Sequence, residues 1–397
     1  MVIRYYCKCS TCGQLHTLRI SVGHEPRQEH TLRCKGCREE MVVAMQLFPE
    51  TASVKVECVS NCKPSQEEGL IVNLHPEFTI PADQLHQDHA FPWMEHTQRI
   101  VIEQHKLLGG LPDLGNYEEM RKFALDIQST SEGWTKIKKA WSLIQNGRND
   151  LAKVFLESYQ DYGFDSPHEL NYVLFDFGKK LLGPQKASIL QDANTLCGSI
   201  AKQFNAEFAE FRQYYLCELH GEHLKRYFDV FSEYFRDFSE FKQTLLFSQY
   251  SLPLPDNAQA SSNSFKRTRM FYGNAFEVMT SNFTLLACLN NVAHGRQYGQ
   301  FETMDIAKYL TTNKANRSNA FKDAPTLYAF AERLDSTLRN ASHHGAMSID
   351  QTGHVITYRS GGTGAQHRMA YATYLYECNE LFLRVVALLM LELAIAF

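Results

Sequence analysis

The stretch Leu338-Arg339-Asn340-Ala341-Ser342-His343-His344-Gly345 decides how the C-terminal half of the chain reads. It follows Leu327, Phe330, Ala331, Leu334 and Leu338, apolar residues at three- and four-residue steps. That spacing lines one face of a helix. Gly345 supplies the residue that commonly ends a helix in the left-handed conformation. An arginine, an amide and two imidazoles are thereby expected on the last helical turn and its cap. Beyond Gly345 the pattern predicts a short hairpin: Met347 to Ile349, a turn through Gln351-Thr352-Gly353, then alternating residues from His354 to Tyr358. An apolar segment from Tyr371 to Phe397 reads as a closing helix.

Two readings of the quoted stretch are open. Cations at a helix C-terminus stabilise the macrodipole by about 0.3–1 kcal/mol each, which is reason enough for Arg339, His343 and His344. The same residue types also carry chemistry. Histidine transfers protons near neutrality. Arginine presents a permanently charged planar fork that matches phosphate oxygens. An asparagine can hold an imidazole in one tautomer. Together these groups suffice for cleavage of an RNA phosphodiester without a catalytic metal.

Arg339-Asn340, three residues, then His344-Gly345 resembles the Arg-polar-x3-His signature of the HEPN superfamily. The resemblance implies an all-α domain over residues 187–397, with a β-hairpin inserted before the last helix. It implies a homodimer in which the two motifs meet, and a metal-independent endoribonuclease with Arg339, Asn340 and His344 as catalytic residues. It further implies RNA as substrate, no catalytic cofactor, and a setting in prokaryotic stress or phage defence, as a toxin with an antitoxin or defence-system partner. One tension is internal. In an unbroken helix, residues four apart lie about 40° apart around the axis and residues five apart about 140°. Helical geometry alone would pair Arg339 with His343; the family spacing selects His344, beside the helix-ending glycine. His343 is the less favoured base. The competing reading is a non-catalytic HEPN-like module that binds RNA or protein.

The N-terminus carries a different signal. Cys9-Ser10-Thr11-Cys12 and Cys34-Lys35-Gly36-Cys37 are two Cys-x-x-Cys turns with 21 residues between them. Such pairs converge four thiolates on one tetrahedral ion at about 2.3 Å. Cys9, Cys12, Cys34 and Cys37 therefore predict a zinc ribbon over residues 1–62. Its zinc is structural, because four thiolates leave no open position. Cys7 could substitute for Cys9. Cys58 and Cys62 read as small buried residues rather than as a second half-site.

The remaining stretches organise the chain. Residues 63–97 read as a linker with one strand at Leu70 to Leu74; His86 and His89 in it do not suffice for a metal site. Residues 98–183 read as a helical region. There Trp134, Ile137, Trp141 and Ile144 face Leu151, Val154, Phe155 and Tyr159 in an αα-hairpin, and core packing is favoured over base stacking. Gly183-Pro184 separates it from 187–397. Aromatic stripes such as Phe228, Phe231, Phe235, Phe238 and Phe241 predict core or a dimer seam. His220 and His223 are favoured as a solvated face. Lys266, Arg267 and Arg269 are candidate phosphate contacts. Leu289 to Gly295 looks like an echo of the main motif lacking its arginine and reads as a plain cap, with His294 and Arg296 kept as outer residues of the site. Arg359-Ser360-Gly361-Gly362-Thr363-Gly364 lacks a P-loop lysine and reads as a flexible hairpin loop.

The fold class is thus mainly α: a HEPN-like bundle with a hairpin insertion, plus a small zinc ribbon. A hydrophobic fraction of 44% is ordinary for a globular chain, and a net charge of −4 gives no global basic field. From Ser261 to Ala370, however, Lys plus Arg outnumber Asp plus Glu by 12 to 7, a mild local bias towards a polyanion. The 11 cysteines, with no signal-like start, point to metal binding in a cytoplasmic protein rather than disulfides. The apolar run from Val385 contains Glu392 and is too short to span a bilayer, so no membrane partner is expected.

Overall fold

A computed structural model describes residues 2–22, 27–48, 51, 53–74, 80–81, 117–159, 169–256, 258–260, 262, 265–343, 345–350, 354–360 and 364–397. The N-terminal strands form two small sheets. β1 (Val2–Cys9) pairs antiparallel with β2 (Leu15–Ser21), Val2 opposite Ser21. β3 (Arg27–Arg33), β4 (Glu40–Phe48) and β5 (Ser53–Ser60) make the second, antiparallel sheet. β6 (Cys62–Pro64) adds to β1, and β7 (Leu70–Leu74) lies parallel to β2. Leu18, Ile20, Leu32, Met41, Val43 and Met45 fill the space between them.

The strands therefore continue past residue 62 into the stretch read as a linker. There β8 (Ile80–Pro81) also bonds to β9 (Ala258–Gln259), in the loop ahead of the helix that starts at Phe265. His75, His86, His89 and His96 lie outside the described residues.

The rest is mostly helical. α1 (Tyr117–Gln145), α2 (Asn149–Glu157) and α3 (Leu170–Leu181) precede α4 (Pro184–Gln203), which starts on the proline expected to break the chain. α5 (Asn205–Tyr214) passes through a π-helical turn, Tyr215–Leu219, into α6 (His220–Arg236), and α7 (Phe238–Gln249) follows. α8 (Phe265–Ala293) leads to α9 (Ile306–Leu310), a 3-10 segment (Lys314–Phe321), α10 (Pro325–Tyr328) and α11 (Ser336–His343). β10 (Met347–Ile349), β11 (Val355–Arg359) and β12 (Gln366–Ala370) form an antiparallel meander before α12 (Tyr371–Ala396).

α12 is the hub. It is apolar nearly all round, and such a helix has to be buried on every side. It packs against α3, α4, α6, α7 and α8. Its buried amide and charged side chains are each answered. Asn379 accepts from Tyr234 and donates to the Phe241 carbonyl, both at 2.7 Å. Glu380 receives Lys186 Nζ at 2.6 Å and Arg384 at 2.9 Å. Glu392 receives the hydroxyls of Tyr215 (2.9 Å) and Tyr227 (2.7 Å), with His223 Nδ1 at 2.9 Å. Unpaired, these groups would cost heavily in the core, so they fix the register of α12 against its neighbours. Among the described residues no helix is long and apolar enough to cross a membrane.

Three expectations change. The face from Leu327 to Leu338 is not one helix. Arg333 takes a left-handed φ of 64°, ending α10 and its following turns, and Asp335 then starts α11 afresh. Leu327, Phe330, Ala331 and Leu338 are nevertheless all buried; the periodicity reports which side chains face the core, not continuity of the backbone. The stretch after the hairpin is a third strand, because Gln366 to Ala370 finds bonding partners on β11. His223 is buried against Glu392 rather than lying on a solvated face. The aromatic stripes are core: Trp134 packs on Phe228, Phe231 and Phe235, and Trp141 stacks on Phe228 at 4.4 Å.

Candidate functional site

The quoted stretch forms α11. The Asp335 carboxylate accepts from the backbone N–H groups of Thr337 (2.7 Å) and Leu338 (3.0 Å), an N-terminal cap. Gly345, with φ of 66°, turns the chain out at the other end as expected. Leu338, Ala341 and Ser342 are buried against α8. The two helices run antiparallel at this contact: Arg339 meets Glu277, and one turn further His343 meets Gly273, one turn back.

Ser342 does more than pack. Its hydroxyl donates to the carbonyl of Arg269 at 2.5 Å and accepts from the N–H of Gly273 at 3.0 Å. Those two groups are an i, i+4 pair within α8. The serine thus bridges two backbone groups of the longest helix of this region. Tyr374 on α12 also donates to the Arg269 carbonyl, at 2.8 Å. Gly273 is required for clearance: a Cβ there would stand 2.6 Å from His343 Cδ2 and 3.0 Å from Ser342 Oγ.

The charged side of the contact is a three-residue arrangement. Arg339 donates through Nε to Glu277 Oε1 at 2.7 Å, and its Nη2 also bonds that oxygen. Nη1 donates to the Asn340 side-chain oxygen at 2.7 Å. Lys314 Nζ meets the other oxygen, Glu277 Oε2, at 2.6 Å. Burial pushes the Glu277 carboxyl up, but hydrogen bonds and charge from Lys314 and Arg339 outweigh it, and the group ends below the ordinary value. It is a carboxylate at neutral pH.

A second acid stands on α6. Glu233 accepts at both oxygens from the Asn274 amide, at 3.0 and 2.9 Å. Burial raises its pKa, while Asn274, Arg236 and His343 oppose the rise. The Nε2 of His343 is closed off from solvent and has no hydrogen-bond partner among the described residues. His344 lies outside the described residues.

Of the expected residues, Arg339 and Asn340 are in direct contact, and His343 shares their helix. The basic trio at the start of α8 divides. Lys266 is exposed, Arg267 is paired to Asp237 at 2.7 Å, and Arg269 reaches back to the Met347 carbonyl behind the Gly345 turn. His294 and Arg296 do not belong to the site. They cap the far end of α8, 17 residues or about 25 Å along the axis from Glu277. There Gly295 takes a φ of 71° and His294 Nδ1 lies 2.8 Å from the Asn290 carbonyl. Glu277 was not singled out in the sequence, yet a signal exists: it is the sole acid of α8. A lone carboxylate in an apolar helix requires a cation from elsewhere.

The N-terminal site is built from two copies of one turn. The N–H groups of Gly13 and Arg38 each donate to the carbonyl of the first cysteine of their turn, Cys9 and Cys34, at 2.9 Å. Both residues adopt positive φ, 75° and 66°. The four sulfurs lie within 4.8 Å of one another, with Cys9–Cys37 at 3.7 Å and Cys12–Cys34 at 3.5 Å. A tetrahedron of sulfurs about 2.3 Å from a central ion has edges of about 3.8 Å, so the thiols already have the spacing of a metal centre.

Cys9 shows how the turn prepares its ligand. Burial raises its thiol pKa, but N–H donors of Cys12 and Thr11 and the neighbouring thiols bring it down to about 7. His16 Nε2 accepts from the Lys35 N–H at 3.0 Å and so ties β2 to the second turn. Burial lowers the His16 pKa, in keeping with a neutral acceptor. Cys7, Cys58 and Cys62 are not part of this cluster. Comparison with known proteins finds no protein-family model, no curated protein and no solved structure that matches the chain.

Proposed function

We propose that the chain is a metal-independent endoribonuclease of HEPN type, acting as a homodimer, with Arg339, Asn340 and His344 at its centre. In this reading His344 takes the proton of a ribose 2′-hydroxyl or gives one to the leaving 5′-oxygen. Arg339 stabilises charge on the phosphorane oxygens, the role a preorganised cation performs best. Asn340 holds the guanidinium from one side, as Glu277 does from the other. The products are a 2′,3′-cyclic phosphate and a 5′-hydroxyl, and DNA is spared because it lacks the nucleophile. The observation that carries the reading is the fixed arginine. Arg339 spends three of its five N–H groups on Glu277 and Asn340 and stays 31% exposed. A setting in phage defence or stress, with an antitoxin or defence-system partner, follows from the resemblance alone.

The same ion pair favours one second reading. A guanidinium held this firmly can simply join α11 to α8, and the domain would then be a non-catalytic RNA- or protein-binding module. Incubating the purified chain with total RNA in EDTA, then analysing the ends, separates the two. Cyclic phosphate ends support the enzyme; intact RNA refutes it. A monomer mass for active protein in light scattering overturns the homodimer. We infer that the metal held by Cys9, Cys12, Cys34 and Cys37 is zinc and structural, since four thiolates leave it no open position for chemistry.

A further inference from the structure

We propose that Lys314 is the second cation of a phosphate cradle whose first cation is Arg339, and that the anion it takes is a backbone phosphodiester of RNA. The inference rests on the ribonuclease reading above and adds to it a residue from a different element.

The argument starts from charge. Glu277 alone would balance Arg339: one guanidinium on one carboxylate keeps its free donors but carries no net charge towards a polyanion. Lys314 changes the sum. Arg339, Lys314 and Glu277 together carry +1, equal and opposite to one phosphodiester. The geometry fits the same purpose. The two cations approach different oxygens of one carboxylate, Arg339 Nε at 2.7 Å from Oε1 and Lys314 Nζ at 2.6 Å from Oε2. Their nitrogens are therefore separated by no more than a carboxylate's width plus two hydrogen bonds, a gap that two oxygens of one phosphate can bridge. Each cation keeps donors in reserve: two of five N–H groups on Arg339 and two of three on Lys314. Both remain open to solvent, at 31% and 38% exposure, as a ligand-binding group must be.

Lys314 is also placed deliberately. It opens the 3-10 segment, whose start is capped by Asn313 accepting from the Ala315 N–H at 3.1 Å. One turn on, the buried Arg317 donates to the carbonyls of Thr280 (3.4 Å) and Ser281 (3.3 Å) on α8, and to Leu310 at 2.6 Å. The Asn290 amide donates to the Ala320 carbonyl at 2.9 Å. Thr280 and Ser281 follow Glu277 by one helical turn. The Arg317 clamp thus seats the segment where its first lysine overhangs Glu277. A surface lysine serving only solubility would not need a buried arginine to station it.

The test uses the full-length chain and a fluorescein-labelled 2′-O-methyl oligoribonucleotide, which cannot be cleaved because its nucleophile is blocked. Anisotropy titrations are run over a series of KCl concentrations for wild type, Lys314→Gln, Lys314→Arg and, as control, the exposed Lys322→Gln. Matched melting curves establish that each is folded. Each backbone phosphate neutralised contributes about 0.7 to the slope of log K against log salt for a single strand. Lys314→Gln is expected to lower the slope by about 0.7 and weaken low-salt binding, Lys314→Arg to keep both, and Lys322→Gln to change neither. An unchanged slope in folded Lys314→Gln overturns the proposal, as does an equal drop in Lys322→Gln. Cleavage of ordinary RNA by wild type is read separately. If RNA is cut but the Lys314→Gln slope is unchanged, this inference alone fails. If the slope drops and nothing is cut, the cradle stands and the ribonuclease reading falls.

Discussion

Ser342 accepts the backbone N–H of Gly273 at 3.0 Å and donates its hydroxyl to the carbonyl four residues back in the same helix. The stretch is therefore tied to the backbone of α8, and the position of Arg339 and His343 depends on that bridge. The two backbone groups are natural partners for each other, which sets the expected order of variants. With Ser342→Ala the N–H and the carbonyl keep each other as partners, and the loss is about 1 kcal/mol or less. With Ser342→Val the added bulk presses on that backbone pair while offering no hydrogen bond. A buried backbone pair left unsatisfied costs about 1–3 kcal/mol. Urea unfolding should rank the three proteins Ser above Ala above Val; a valine variant as stable as the alanine one would contradict the bridge.

The cysteine site leads to a simpler expectation. Cys34→Ser or Cys37→Ser removes one of four ligands and exposes the second turn, so bound metal measured by plasma mass spectrometry should fall from one ion per chain to near zero. The N-terminal strands should lose protection in hydrogen exchange, because a small module closed on a metal depends on it for stability. A wild-type protein that carries no metal yet keeps an ordered N-terminus would sink the assignment.

These two sites were unequally legible in the sequence. The Cys-x-x-Cys turns carry their geometry in their spacing, and the structure closes them as expected. The left-handed glycine after α11 and the buried closing helix were equally plain, since both depend on local residue chemistry. What the sequence hid is non-local. Ser342 looks like filler in its own stretch, and its partners lie 69 and 73 residues away. Glu277 is in plain view on α8, but nothing near it in the chain says that Arg339 and Lys314 will both reach it. The break at Arg333 was hidden for another reason: apolar spacing survives a turn whose residues still face the core.

His30 on β3 gives a pH dependence with a definite sign. It is buried, neither ring nitrogen has a partner among the described residues, and burial holds its pKa down to about 4 from 6.5. Between those values the unfolded chain binds a proton that the folded chain refuses, so stability falls as pH falls through the window. At 1.36 kcal/mol per unit the full loss is about 3 kcal/mol, complete below pH about 4. His30→Leu should abolish that part of the acid sensitivity. The difference between variant and wild type cancels any contribution of the cysteine site, which acid affects equally in both. Equal losses in the two proteins between pH about 7 and about 4.5 would show that His30 is not the group responsible.

The two imidazoles of the signature stretch remain to be told apart, and the surroundings of His343 set the expectation for it. His343 lies across Gly273 with its Nε2 shut away from solvent. That is the situation of a packing residue, so His343→Ala should lower the melting temperature and keep most cleavage activity. Under the proposed reading His344 is the proton-transferring group. His344→Ala should lower the cleavage rate by about 10²–10⁴, the usual worth of a general acid or base, and leave stability within about 1 kcal/mol. Arg339→Ala should be as inactive, and also less stable, since Glu277 then keeps only Lys314. Arg339→Lys should recover little, because an ammonium cannot reproduce the side-on contact with Glu277 and the contact with Asn340 together. Single-turnover cleavage and thermal melts on the same preparations separate the cases. A dead His343→Ala beside an active His344→Ala would mean that the four-residue helical pairing of Arg339 with His343 is the catalytic one. Wild-type rates in both would leave α11 as a capped helix joined to α8, and the ribonuclease proposal would fail with them.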